Sequence, residues 1–61
     1  MDKLTRGVEV EAIVDGEERE GRVVMEFVED GEPMVMVSTE DPHWATGEYG
    51  FEAPREAVRV I

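Results

Sequence analysis

Apolar and polar residues alternate along most of this chain, and the alternation is punctuated twice by an aspartyl-glycine pair. Val8, Val10, Ala12 and Val14 alternate with Glu9, Glu11 and Ile13, the period of a half-buried strand. Asp15-Gly16 then supplies a two-residue turn of the primed type, in which both central residues need a positive φ. A second run covers residues 20–28, and Asp30-Gly31 turns it back into residues 33–38. From Thr39 to Gly47 the pattern lapses, so Glu40-Asp41-Pro42-His43-Trp44 reads as a loop. Tyr49 and Phe51 alternate around Gly50 in a fourth strand over residues 48–53. Pro54-Arg55-Glu56-Ala57 suits a single 3₁₀ turn, and residues 58–61 close the chain as a short fifth strand.

The two turns set registers, and the registers predict faces. With Asp30-Gly31 at the turn centre, Phe27 falls opposite Met34 and Met25 opposite Met36. The first turn places Val8 opposite Val23 and Val10 opposite Gly21. The expected interior is therefore Val8, Val10, Ala12, Val23, Met25, Phe27, Met34 and Met36. The reverse face carries Glu9, Glu11, Glu18, Glu20 and Arg22, with Glu9 opposite Arg22 and Glu11 opposite Glu20. The first pair attracts and the second repels. Further along, Val24, Val28, Val35 and Val37 make that face apolar. Either a long bent strand serves both sides of a barrel, or the four valines form an exposed patch for a partner or a homodimer.

Composition agrees with strands. Ten valines, two isoleucines and three threonines stand against one leucine. Five strands, two tight hairpins and a one-turn helix before the last strand follow the element order of an SH3-like small barrel. Ala53-Pro54-Arg55-Glu56-Ala57-Val58-Arg59-Val60-Ile61 resembles the proline-led 3₁₀ turn and closing strand of that superfold, and Glu20-Gly21-Arg22-Val23-Val24 resembles the opening of the second strand in KOW- and Tudor-type barrels. The resemblance implies an all-β fold in one domain over residues 1–61. The Ala-Leu-Tyr-Asp-Tyr run and tryptophan pair of peptide-binding Src-type domains are missing, as are the basic residues of nucleic-acid-binding relatives.

Charge narrows the function further. Sixteen acidic residues against six basic ones give a net charge of −10. That exceeds the magnitude of about 2–8 typical of a soluble small domain. It excludes direct binding to a phosphate backbone or an anionic membrane and favours a protein partner with a basic surface. The acidic, valine-rich, lysine-poor usage also resembles proteins of salt-loving archaea, and a high-GC genome, including a phage's, would produce it equally. No cysteine is present, so disulfides and thiolate metal sites are excluded, and with one histidine no zinc cluster is expected. No stretch reaches the roughly 18 apolar residues of a membrane span. The expectation is a cytoplasmic protein without cofactor or metal.

Candidate sites are few. Asp41, His43 and Trp44 share one loop, but no nucleophile or orienting third group accompanies them, so no catalytic role is assigned. Such a loop ordinarily folds its tryptophan over the open end of a small core. Trp44, Tyr49 and Phe51, with Glu48 and Glu52 nearby, would suit an aromatic cage for a cationic ligand. Tyr49 and Phe51 at i and i+2 are also placed as core aromatics would be. The carboxylates lack the spacing of a calcium loop. Rows such as Glu9/Glu11 and Glu18/Glu20, spaced roughly 6–7 Å along a strand, approximate the spacing of backbone phosphates. The leading expectation is a non-enzymatic interaction module, in one version a nucleic-acid mimic docking on a basic nucleic-acid-binding protein. The alternatives are a haloarchaeal housekeeping domain and a cage for a cationic ligand.

Overall fold

The computed structural model describes residues 4–61. Five strands follow in the expected order: β1 (Glu9–Val14), β2 (Glu17–Glu29), β3 (Glu32–Ser38), β4 (Gly50–Pro54) and β5 (Val58–Val60). A 3₁₀ turn at Arg55–Ala57 separates the last two, with Pro54 as the capping residue before it. The strands form one antiparallel sheet in the order β4-β3-β2-β1-β5. The fold is all-β. Residues of β1 and β4, three places apart in that order, pack into one hydrophobic cluster, so the sheet curves around its core.

Both aspartyl-glycine turns have the expected backbone. Asp15 and Gly16 have φ of 52° and 79°, and Asp30 and Gly31 have 50° and 80°. Positive φ at both central positions is the primed geometry that matches strand twist. The registers follow. Glu9 pairs with Arg22, Val10 with Gly21 and Glu11 with Glu20 across β1–β2, while Phe27 pairs with Met34 and Met25 with Met36 across β2–β3.

The interior is not the one those registers imply. Between Val23 and Met25 the β2–β3 ladder shifts, so Val23 pairs with Val37 while Met25 pairs with Met36. The extra residue, Val24, is a β-bulge, and a single extra residue reverses the faces beyond it. The core is therefore Leu4, Val10, Ala12, Val23, Val35, Val37, Phe51, Ala53 and Val58, with Val8 and Val14 packed at its margin. Val35 and Val37, expected on the outer face, are fully buried. Met25, Phe27, Met34 and Met36, expected inside, lie on the outer face, and Met25 is 50% exposed. Val24 is half-buried, and Val28 is 70% exposed at the far end of the distal hairpin. The four valines thus form no common patch.

The outcome has a packing rationale. Valines are short and stiff at χ1, so they fit where strands curve tightly over a small core. Methionines are long and unbranched and tolerate an outer surface.

Candidate functional site

The acidic outer face is built by β1, the first half of β2, and β5. Glu9, Glu11, Glu18 and Glu20 share it with Arg22, Arg59 and Ile13, as the pairings require. Two of the four carboxylates are neutralised there. Arg22 donates to Glu9 Oε1 at 2.8 Å and to the Gly7 carbonyl at 3.0 Å. Arg59 on β5 sits opposite Glu11 and pairs with its carboxylate. The like-charge Glu11/Glu20 juxtaposition is thus relieved from the other side of β1, by a strand the turn registers do not address. Among the described residues Glu18 and Glu20 have no ion pair.

On the opposite side of β2 the side chains close the core. Arg19 lays its guanidinium over the Phe51 ring at 4.4 Å from the ring centre, a cation–π contact that covers an otherwise open edge. Glu17 meets the 39–49 loop, whose organising residue is His43. His43 Nε2 stands 3.2 Å from both carboxylate oxygens of Glu17. Its Nδ1 accepts the Ala45 and Thr46 backbone N–H groups at 3.1 and 3.3 Å. Accepting two N–H groups requires a bare Nδ1, so the ring proton sits on Nε2 and points at Glu17. The backbone completes the knot: His43 N–H donates to the Glu48 carbonyl, and Gly47 N–H donates to the His43 carbonyl, both at 2.8 Å. The Gly47 φ of 74° lets the chain reverse there.

The loop therefore inverts the expected arrangement of its two rings. His43 turns inward, its side chain 14% exposed, while Trp44 stacks on it at 5.7 Å and is 86% exposed. A tryptophan folded over the core was expected; a tryptophan presented to solvent is found. The signal for this lay in the residues following His43, where short Ala45 and Thr46 and a glycine at 47 allow a tight backbone knot around an imidazole.

β2 and β3 part company at the Arg22–Ser38 pair, since β3 ends there while β2 continues back to Glu17. The wedge between them is a groove of about 590 Å³. Glu17, Glu20 and Arg19 line one wall, and Glu40, Asp41 and Trp44 belong to the other. Asp41, His43 and Trp44 are thus brought together with Glu20 at one site.

Tyr49 and Phe51 are not part of it. They border a second depression of about 370 Å³ beside Val24, Met36, Glu48 and Glu52. Phe51 belongs to the core and its ring is covered by Arg19, so Trp44, Tyr49 and Phe51 do not converge on one cation-binding cage. Among the described residues no three metal-ligating side chains cluster, and no helix is long and apolar enough to cross a membrane.

No family model, curated protein or solved structure matches this chain. What it does must be read from its own surface.

Proposed function

We propose that this chain is a non-enzymatic docking module, an SH3-like small barrel that recognises a protein with a basic surface. The observation that carries the reading is the groove between β2 and the 39–49 loop. There Glu20, Glu40 and Asp41 stand beside a tryptophan that is 86% exposed. Carboxylates steer a basic partner to the site and raise the encounter rate. Trp44 supplies a large apolar contact of the kind that dominates interface energetics. Its side chain rides on His43, which the Ala45, Thr46 and Glu17 contacts hold in place, so little ordering remains to be done on binding.

In the more specific version the partner is a basic nucleic-acid-binding protein, and Glu18 and Glu20, without an ion pair among the described residues, stand in for successive phosphates. Glu9 and Glu11 are less suited to that role because Arg22 and Arg59 already hold them.

The test is displacement of a fluorescent DNA duplex from a panel of basic DNA-binding proteins, at rising potassium chloride. The wild-type chain is expected to displace DNA from at least one of them, with a steep salt dependence. A Glu18→Gln/Glu20→Gln variant should lose that ability, and Trp44→Ala should weaken it. Unaltered displacement by both variants overturns the reading. So does a chain that folds, by circular dichroism, only near about 2 M salt, where the Debye length is under about 3 Å. In that case the negative charge serves salt adaptation instead of docking.

A further inference from the structure

The bulge at Val24 leaves an apolar surface on the outside of the distal hairpin. Phe27 and Met34 form one cross-strand pair there, and Met25 and Met36 form the next. Met25 is half-exposed, and the other three are partly so. The patch runs into the second depression, which Val24 and Met36 line together with the exposed Tyr49. Side chains at i and i+2 are roughly 7 Å apart along a strand, and neighbouring strands are about 4.8 Å apart. The two pairs, with the depression beside them, therefore make a surface about 10 Å wide, the breadth of one α-helix.

The border of this patch has one sign. Glu29 and Glu32 are paired across the hairpin at one end. Glu52 lies opposite Met36 on β4, and with Glu48 it rims the depression beside Tyr49. Arg22, the nearest cation on the same face of β2, is occupied by Glu9 and the Gly7 carbonyl.

We propose that this face docks a basic amphipathic helix of another protein. Its apolar side would seat on Met25, Phe27, Met34 and Met36, and lysine or arginine residues at its flanks would meet the four carboxylates. Unbranched thioether side chains repack around differing apolar residues, which suits a helix face. Strand addition is the wrong mode here. β3, which carries Met34 and Met36, is hydrogen-bonded to β2 on one side and β4 on the other, so strand addition could use only the outer edge of β4 and would leave the methionine side chains uncovered. A second copy of this chain is also the wrong occupant, because a two-fold contact would press one set of carboxylates against the other between molecules of charge −10. The surface is separate from the Trp44 groove and stands or falls independently of it.

The experiment is calorimetric titration of the full chain with a synthetic leucine/lysine amphipathic helix of about 14 residues, close to four turns. A leucine/glutamate helix of the same pattern is the control. The lysine peptide is expected to bind and the glutamate peptide not to. Met25→Gln/Met34→Gln should weaken binding by about tenfold or more, as loss of central apolar contacts does. Glu48→Gln/Glu52→Gln should weaken it severalfold, while Ile13→Gln, at an exposed apolar residue away from the patch, and Trp44→Ala should leave it unchanged. Thermal melts establish that each variant is folded before titration. Equal affinity in the Met25→Gln/Met34→Gln variant overturns the proposal. Binding of both peptides alike does the same, and so does a wild-type dimer in sedimentation equilibrium that this double variant dissociates.

Discussion

A single methyl group added at position 21 should be among the most damaging changes to this chain. Gly21 sits on β2 opposite Val10, where β3 begins to pair with β2 one residue further on. A Cβ built there would stand 2.3 Å from the Ser38 carbonyl oxygen and 2.5 Å from Val37 Cγ1. Ordinary contact begins at 3.4 Å, so the oxygen alone would have to retreat by about 1.1 Å, the difference between 3.4 and 2.3 Å. It has little freedom to do so. Ser38 pairs with Arg22 on one side and Gly50 on the other, and Val37 is fully buried.

Overpacking of this kind costs about 1–3 kcal/mol, and two simultaneous clashes with fixed groups put Gly21→Ala at the upper end. A domain of 61 residues is stable by about 3–9 kcal/mol. The substitution therefore removes a third or more of the total. With a urea m-value of about 1 kcal/mol/M, a loss of about 3 kcal/mol lowers the midpoint by about 3 M at unchanged slope. Far-UV circular dichroism in a urea series measures it directly. Gly50→Ala, whose Cβ would meet the Val37 carbonyl oxygen at 2.8 Å, is the graded comparison and should lose less. A Gly21→Ala midpoint within about 0.3 M of wild type, a change of a few tenths of a kcal/mol, would refute the close crossing of β2 and β3.

Two further substitutions probe the charged surface and the loop. Arg59→Ala removes the counter-ion of Glu11 and leaves it facing Glu20, so stability at low salt should fall by about 0.5–1 kcal/mol. Thermal melts should show that loss shrinking near about 1 M potassium chloride and relieved by Glu11→Gln in the same chain; a loss indifferent to both would assign Arg59 another role. His43→Ala strips the Ala45 and Thr46 N–H groups of their acceptor, so amide exchange at those two residues should quicken while the β3 amides stay protected. Unchanged exchange at Ala45 and Thr46 would show that the backbone alone holds the loop.

Much of this fold is written locally. Asp15-Gly16 and Asp30-Gly31 can be read from the sequence because aspartate and glycine tolerate positive φ, and each fixes the pairs beside it. The 3₁₀ turn is legible at Pro54, although the proline caps the turn from outside it. The bulge is not legible. Val23 and Val24 are identical side chains, no glycine marks the irregularity, and both Val35/Val37 and Met34/Met36 offer a credible apolar stripe. Only the three-dimensional competition to fill a small curved core chooses the valines. The acidic row on β1 and β2 is legible to the residue, but its charge balance is not, because Arg59 arrives from the far end of the chain. In the 39–49 loop the lapse of the alternating pattern marks a connection, yet it does not say which of the two adjacent rings faces out. That is decided by the backbone N–H groups that claim the imidazole.

The Val24 bulge also gives the second strand slack. In a strand with unbroken phase, losing a residue would turn every side chain beyond it to the other face. Here, removing Val24 would leave both turns and every pair in place, because Val23 already faces Val37 and Met25 already faces Met36. Valines would stay inside and methionines outside, now in unbroken alternation. The strand therefore holds one residue in reserve, and position 24 is where it can shorten by one without exchanging its two linings.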